Sequence, residues 1–280
     1  LKETFEYCEC AQCRTVQIVS PIPPEDIARY YPSNYYSFLP RTRRPLQQRL
    51  STLRDRGAIG AGSFAGRVLA RLRPNSRLQL LRAIGLKPHQ HILDVGCGHG
   101  GLLDMLARTG FRNLKGVDPF LVRDITTSAG VPILRGYLAD VTGRFDVVMF
   151  NHSLEHITDP VRELKSAAER LVPGGICIVR LPTTSSEAWD TYRENWVQLD
   201  APRHVFIPSR EGMHVLAKRA GPTLTSVIDD STAFQFWGSE LYRRGICLSQ
   251  LNGHDQLTRR QARAFAGKAH LVNQSGRGDQ

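Results

Sequence analysis

The feature that most constrains the fold is a glycine-rich turn between a short apolar run and an amphipathic segment. Residues 92–100 read Ile-Leu-Asp-Val-Gly-Cys-Gly-His-Gly, and apolar side chains then recur at helical spacing from Leu102 to Leu106. Glycines at such a junction let backbone N–H groups approach a ligand closely, because no Cβ intervenes. We therefore expect a buried strand, a ligand-binding loop and a helix, in that order.

Further strand-sized apolar runs follow, separated by helix-sized segments. Strands are predicted at residues 114–117, 131–134, 145–150, 176–179 and 223–228, and helices at residues 120–129, 159–171 and 209–221. This alternation favours right-handed crossovers and a mainly parallel sheet. The predicted fold class is α/β, a doubly wound Rossmann-like sheet with helical extensions at both ends. Ligands of such sheets bind beyond the carboxyl ends of the strands.

The glycine loop alone is compatible with two cofactors. Gly96, Gly98 and Gly101 fit the G-x-G-x-x-G pattern of dinucleotide-binding proteins. Asp118 lies about 20 residues beyond the loop, where a carboxylate can bind the ribose hydroxyls of either cofactor. Asp94 argues against NAD, because it would repel a pyrophosphate and attract the cationic methionine end of S-adenosylmethionine. A tight turn that binds no ligand is the third interpretation.

Taken together, these motifs resemble those of the class I S-adenosylmethionine-dependent methyltransferases, in the branch of small bacterial enzymes that modify sugars, lipids and natural products. The resemblance covers residues 86 to about 230 and is carried by residues 92–100, 116–119, 145–148, 152–156 and 171–175. The flanks resemble a subgroup with an N-terminal zinc ribbon, a tyrosine-rich segment (here Tyr30 to Tyr36) and a Trp-x-x-Leu-Asp-x-Pro-Arg-His loop (here Trp196 to His204).

The resemblance implies a set of cofactor-binding residues. These are Asp94, Gly96, Cys97, Gly98, Gly100, Asp118, Pro119, Phe120, Tyr137, Leu138, Asn151 and His152. Asp94 would face the amino-acid end of the cofactor, Asp118 would bind the ribose, and Phe120 and Tyr137 would lie near the adenine. The family often has an acid near Tyr137, whereas here the nearest is Asp140, so the acceptor for the adenine amine stays open.

Three residues are candidates for the acceptor side of the site. Methyl transfer needs alignment, exclusion of water and, for a hydroxyl nucleophile, a base. His152 or His204 could take the proton. Trp196 belongs to an aromatic segment, residues 183–204, that could close over the acceptor as a lid. The alternatives are that His204 is a hydrogen-bonded residue at a strand start and that Trp196 belongs to the core.

Two patterns suggest a metal. Cys10 and Cys13, with Cys8 beside them, have the spacing of half a zinc ribbon, although four ligands are normally required. Surface cysteines without a metal are the alternative. Residues 152–156 also spell the H-x-x-E-H pattern of inverted zinc peptidases. Because His152 directly follows a predicted buried strand, a peptidase or a non-catalytic binding protein is a less favoured alternative function.

The net charge of +11 is concentrated in one segment. Between Arg41 and Arg82 there are eleven arginines and a single acid, Asp55. An anionic partner (RNA, anionic lipid or a phosphorylated substrate) is one interpretation, and a solvated helical surface is the other. With Phe64 as its only aromatic residue, the segment does not favour nucleic acid. The favoured acceptor is a small molecule, sugar or lipid-linked compound, and an RNA or protein methyltransferase is the alternative.

The domain organisation is expected to comprise four segments. They are a partial zinc-ribbon-like segment at residues 1–20, a basic helical extension at 21–85, the cofactor-binding domain at 86–230, and a C-terminal extension with a frayed polar tail at 231–280. No apolar run is long enough to cross a membrane. The start at Leu1 is not a signal peptide and suggests a fragment or a processed end. The six cysteines do not form a disulfide pattern, so we expect a cytoplasmic protein.

Overall fold

The computed structural model describes residues 3–23, 26–31, 44–60, 62–248 and 257–280. Most of the tyrosine-rich segment, together with Arg41 and Arg43, lies outside these residues. The strands are β1 (Tyr7–Glu9), β2 (Val16–Ile18), β3 (His91–Val95), β4 (Asn113–Asp118), β5 (Ile125–Thr126), β6 (Pro132–Arg135), β7 (Phe145–Asn151), β8 (Leu171–Arg180) and β9 (Phe206–Ile207). The helices are α1 (Pro45–Ala58), α2 (Phe64–Leu72), α3 (Ser76–Ala83), α4 (Gly101–Thr109), α5 (Pro160–Glu169), α6 (Glu187–Tyr192), α7 (Arg210–Ala220), α8 (Phe234–Arg243) and α9 (Arg259–Gln274).

The chain divides into two compact units. The sheet unit comprises Tyr31–Leu154 and Lys165–Arg180, and the terminal unit comprises Leu1–Tyr30, Glu155–Leu164 and Leu181–Gln280. Helices α1 to α3 therefore belong with the large sheet, whereas the predicted lid segment belongs with the two ends of the chain. The four segments expected from the sequence group the chain differently and remain a prediction.

The sheet unit contains the predicted doubly wound sheet. Its strand order is β5-β6-β4-β3-β7-β8, and every pair is parallel except β5 with β6. The chain order reverses at β3, whose neighbours are β4 and β7, and such a switch point opens a crevice at the carboxyl ends of the strands. Asp94 on β3 pairs with Gly116 on one side and Met149 on the other. This register brings the ends of β3, β4 and β7 to one edge of the sheet.

Apolar side chains on both faces of the sheet explain why these runs form its centre. Ile92 and Leu93 are both buried, as expected for a strand covered on two faces. Leu103 and Leu106 of α4 pack into the same core together with Ile133 of β6. The apolar periodicity at residues 102–106 therefore holds the helix against the sheet and fixes the loop that precedes it.

Two predicted elements are wrong. Instead of a helix at residues 120–129, the chain makes a turn and the short strand β5, antiparallel to β6. Side-chain carboxylates compete for the backbone there: Asp124 Oδ1 accepts from Arg135 N at 2.7 Å, and Asp104 Oδ1 accepts from Ala129 N at 2.7 Å. Residues 223–228 form no strand in the described structure, and the side chains of this run are not buried by a sheet.

The terminal unit has a small antiparallel sheet and its own core. The strand order is β1-β2-β9, with Val16 opposite both Glu9 and Ile207. The core consists of Val16, Ala188, Trp189, Tyr192, Trp196, Ile207, Phe236, Ala269 and Val272. It joins residues from both ends of the chain, so neither end could form this core by itself.

The frayed C-terminal tail is a wrong prediction. Helix α9 extends to Gln274, and Asp279 beyond it is fully buried. The Asp279 carboxylate accepts hydrogen bonds from Ser231 Oγ at 2.7 Å and from Trp196 Nε1 at 3.3 Å, and its carbonyl accepts from Thr183 N at 2.9 Å. The polar composition after Gly267 suggested solvent exposure, but these polar groups have buried partners. Among the described residues, no helix has the length and apolar character needed to span a bilayer.

Candidate cofactor site and active-site residues

The glycine loop requires backbone conformations that favour glycine. Gly96, Gly98 and Gly100 have φ values of +72°, +55° and +71°, in the left-handed region that side chains with a Cβ rarely adopt. At Gly96 the packing is also tight, because an added Cβ would lie 2.4 Å from the Cβ of Ser153. The Ser153 hydroxyl donates to the Val95 carbonyl at 2.5 Å. The loop is thus fixed to the segment that follows β7.

Asp118 organises this loop from the end of the neighbouring strand. It is buried, its Oδ2 accepts from Gly98 N at 2.7 Å, and its Oδ1 accepts from Phe120 N at 2.9 Å. An ionised carboxylate has about four lone-pair positions. Asp118 can therefore hold the loop and still accept hydrogen bonds from ribose hydroxyls, as the sequence predicts.

Asp94 is in a very different electrostatic state. Its side chain is 2% exposed, and its Oδ1 has no hydrogen-bond partner within the described ranges. Burial, and secondly the negative charge of Asp118, raise the pKa of Asp94 to about 8. The same burial, with the two carboxylates, raises the pKa of the Cys97 thiol. A buried oxygen that lacks a donor fits a cationic ligand such as the amino-acid end of S-adenosylmethionine and does not fit a pyrophosphate.

The residues expected near the adenine differ in their exposure to a ligand. Leu138 is buried in the core, whereas Tyr137 and Phe120 are exposed. The ring of Phe120 stacks on Tyr31, with centroids 4.9 Å apart and an interplanar angle of 27°. Asp140 Oδ2 accepts from Tyr137 N at 2.8 Å, so this acid caps a local turn. Pro119 is half-buried, and the acceptor for the adenine amine stays a prediction.

His152 lies at the same sheet edge and has a strained backbone. It follows Asn151, the last residue of β7, and its φ of +57° is uncommon for a residue with a side chain. Its N–H donates to the Arg180 carbonyl at 2.8 Å, and Arg180 Nη1 donates to His152 Nε2. The sequence analysis missed Arg180, although its position at the end of the β8 apolar run was a usable signal. Asn151, Arg180 and Arg77 also line a small hollow.

The inverted zinc-peptidase interpretation does not fit this geometry. That motif needs its two histidines on one face of an α-helix. Residues 154–156 form a single 3₁₀ turn instead, and His152 precedes it in a left-handed conformation. His156 Nδ1 donates to the Arg203 carbonyl at 2.9 Å. Burial, followed by the nearby His204, lowers the pKa of His156.

His204 belongs to a buried polar cluster of the terminal unit. Its Nδ1 donates to the Gln198 carbonyl at 2.6 Å, which leaves Nε2 as the proton-accepting nitrogen. That nitrogen lies 3.9 Å from Glu155 Oε1 and 3.8 Å from Asp200 Oδ2. Glu155, His156 and His204 are also a group that could hold a metal ion, with one atom of each within 4.8 Å of the others. The sequence did not suggest that these three residues meet.

Trp196 lies in the core of the terminal unit and is 0% exposed. Its ring is 5.7 Å from that of Trp189, and Nε1 donates to Asp279. This burial favours the packing alternative over contact with an acceptor, and the predicted catalytic role stays untested. Cys10 and Cys13 lie at the turn between β1 and β2, where Cys13 Sγ donates to Thr15 Oγ1 at 3.3 Å. A zinc site at this turn stays a prediction.

Comparisons with known proteins identify the family to which the chain belongs. A family model for a methyltransferase domain matches residues 64–227. The chain is similar to ubiquinone biosynthesis O-methyltransferases: that of Caulobacter sp. (strain K31) is 38% identical over 102 residues, 31% of this chain and 39% of the relative. That of Azorhizobium caulinodans is 39% identical over 98 residues, 31% of this chain and 38% of the relative. The matches thus span about two fifths of these relatives.

Among solved structures, magnesium protoporphyrin IX methyltransferase from Synechocystis PCC 6803 has a TM-score of 0.46 and 14% identity, over 75% of this chain and 94% of that chain. The family model covers more than half of the sequence, from the start of α2 through all strands of the glycine-loop sheet. The chain therefore belongs to the class I S-adenosylmethionine-dependent methyltransferases.

Proposed function

We propose that this chain transfers the methyl group of S-adenosylmethionine to a hydroxyl oxygen of a small-molecule acceptor. The observation that carries the proposal is the buried Asp94 carboxyl. Its Oδ1 has no hydrogen-bond donor among the described residues, and Asp94 precedes a loop that Asp118 holds in place. The hydroxyl as acceptor group is suggested by the curated relatives, which are named O-methyltransferases. Sugars and lipid-linked compounds are the acceptor classes that the sequence favours.

The cofactor would supply a methyl group on a sulfonium, which is displaced in line by the acceptor. Because the positive charge disappears as the new bond forms, the protein needs no strong oxyanion stabilisation and contributes mainly alignment and exclusion of water. Asp94, once ionised, would hold the cationic end of the cofactor. Asp118 would keep Gly98 in place and bind the ribose.

A hydroxyl nucleophile also needs a base, and the two candidate histidines differ. His152 Nε2 already accepts from Arg180, so His152 can take a proton only after Arg180 withdraws. His204 has its Nδ1–H on a carbonyl and its Nε2 near two carboxylates, which would stabilise the imidazolium that forms on proton transfer. We favour His204 as the base, because among the residues that the structure describes its Nε2 accepts no hydrogen bond from an arginine in the way that His152 Nε2 does.

The test is turnover of S-adenosylmethionine to S-adenosylhomocysteine with four acceptor classes: phenols, nucleotide sugars, lipid-linked glycans and RNA. We expect turnover with a hydroxyl-bearing small molecule and a methyl ether in the product by mass spectrometry. His204→Ala should lower kcat, and part of the loss should be recovered at higher pH, where the hydroxyl ionises without a base. Turnover with RNA alone, or a product methylated on nitrogen or carbon, would refute the hydroxyl proposal.

A further inference from the structure

Helices α1 and α2 of the sheet unit form a tightly packed pair. At their contact a Cβ added to Gly57 would lie 2.2 Å from the carbonyl carbon of Gly66, so the two backbones meet without side chains between them. Gly66 is buried at this contact. Each helix thus uses a small-residue face for its partner, and the larger apolar side chains must lie on other faces.

Those larger side chains form an exposed row. Phe64, Val68 and Leu72 are spaced by four residues, which places them on one face of α2. They are 75%, 39% and 73% exposed. On α1, Leu46 and Leu50 repeat the same spacing and are also exposed. Exposed apolar residues are usually scattered singly, so a periodic row on neighbouring helices indicates an interaction surface.

The charge of the segment that contains this row is almost entirely positive. The described residues from 44 to 82 carry nine arginines and one acid, and the arginines are Arg44, Arg49, Arg54, Arg56, Arg67, Arg71, Arg73, Arg77 and Arg82. The acid, Asp55, is buried and forms an ion pair with Arg54 at 2.7 Å. Among these described residues no acid is exposed, so the α1–α2 pair favours an anionic partner.

We propose that the α1–α2 pair docks on the surface of an anionic lipid bilayer. The row formed by Phe64, Val68 and Leu72 would enter the boundary between headgroups and acyl chains, and arginines such as Arg67 and Arg71 would contact the anionic headgroups. A second copy of the chain is a poor occupant, since it would bring the same positive charges face to face. RNA accounts for the arginines and could stack on Phe64, but it does not account for the exposed Val68 and Leu72, which offer no ring to a base.

The test is flotation of the full chain with lipid vesicles. Vesicles of phosphatidylcholine mixed with an equal amount of phosphatidylglycerol should bind the protein, and pure phosphatidylcholine vesicles should bind it far more weakly. Arg67→Gln with Arg71→Gln should weaken binding about thirtyfold, from about 1 kcal/mol for each arginine. Phe64→Ser with Leu72→Ser should weaken it at least about tenfold, since two exposed apolar side chains no longer enter the bilayer. Val122→Ser, at a valine that is 90% exposed elsewhere in the sheet unit, should bind as wild type.

Three results would overturn the proposal. One is equal binding to both kinds of vesicle, or to neither. Another is that the arginine variant no longer binds vesicles while the serine variant still does. If the serine variant also binds transfer RNA with wild-type affinity, the surface belongs to RNA. The third is a dimer in sedimentation that the serine variant abolishes. Because all four changed side chains are exposed, thermal melts should match wild type, and Leu72→Ser alone replaces the double variant if they do not.

Discussion

The pKa of Asp94 leads to a specific prediction about cofactor binding. In the free protein, burial and the nearby Asp118 raise this pKa to about 8, so the carboxyl is neutral at pH 6 and ionised at pH 9. If the cofactor's cationic end binds the ionised form, then binding below pH 8 must release a proton. We therefore expect S-adenosylmethionine to bind more tightly as the pH rises from 6 to 9, and Asp94→Asn to lose this gain.

The size of the effect follows from the pKa. At pH 6 about one molecule in a hundred carries an ionised Asp94, so the dissociation constant should be about a hundredfold larger than at pH 9, equivalent to about 2.7 kcal/mol. The free energy of unfolding should change as well. An acid with a raised pKa stabilises the fold fully only below its ordinary value of 3.8, and this contribution is lost as the pH rises to about 8. Without ligand, the wild type should lose stability relative to Asp94→Asn across this interval.

The assay is calorimetry at several pH values, in buffers with different ionisation enthalpies, on the wild type and on Asp94→Asn. The ligand's own amine also titrates, but it does so equally in both proteins, so the difference between them belongs to Asp94. Proton release near one per ligand at pH 6 is expected for the wild type and much less for the variant. Equal pH dependence in the two proteins, with both folded by thermal melt, would refute the role assigned to Asp94.

The other predictions concern the loop and the core. Gly98→Val should abolish binding of S-adenosylhomocysteine in a protein that is still folded by circular dichroism, because a β-branched residue is strained at φ +55°; normal binding would contradict this loop placement. Asp118→Ala should weaken cofactor binding by about 1–3 kcal/mol, because the hydrogen bond to Gly98 N is lost. An unchanged dissociation constant would contradict a role of Asp118 in cofactor binding. Trp196→Ala should lower the free energy of unfolding by about 3–5 kcal/mol and leave turnover per folded molecule normal. Loss of turnover in a variant of normal stability would instead support contact between Trp196 and the acceptor.

The sheet could be predicted because its signals are local. An apolar run that ends in glycines, as at Val95, defines both a strand and the edge where a ligand binds. The parallel order then follows from the alternation of elements. The helix expected at residues 120–129 failed because hydrogen bonds to Asp124 and Asp104 come from residues 11 and 25 positions along the chain. Helix propensity depends only on the residues of the segment itself and cannot reveal these distant hydrogen-bond partners.

The contacts of the candidate acceptor-side residues could not be predicted for the same reason. Arg180 reaches His152 from 28 residues away, and His204 meets Glu155 only because the terminal unit folds these segments together. The stacking of Tyr31 on Phe120 likewise joins distant segments of the sheet unit. Each of these contacts is set by packing, and their residue types are common on exposed surfaces. Sequence patterns therefore predict which strand ends share one edge of the sheet, whereas they name the candidate acceptor residues only one at a time and without their partners.

The two acids of the cofactor edge show what the structure adds to such patterns. By position alone, Asp94 and Asp118 are equivalent: each is an acid at or near the end of a strand. Two backbone N–H groups donate to Asp118, and hydrogen bonds of this kind favour the charged form of a carboxyl. Asp94 has an oxygen with no donor in the described part of the chain, and it feels the charge of its neighbour. Asp118 therefore fixes the loop through its two backbone donors. We expect the buried Asp94 carboxyl to ionise when a cationic ligand binds, so that the two acids together favour a positively charged ligand.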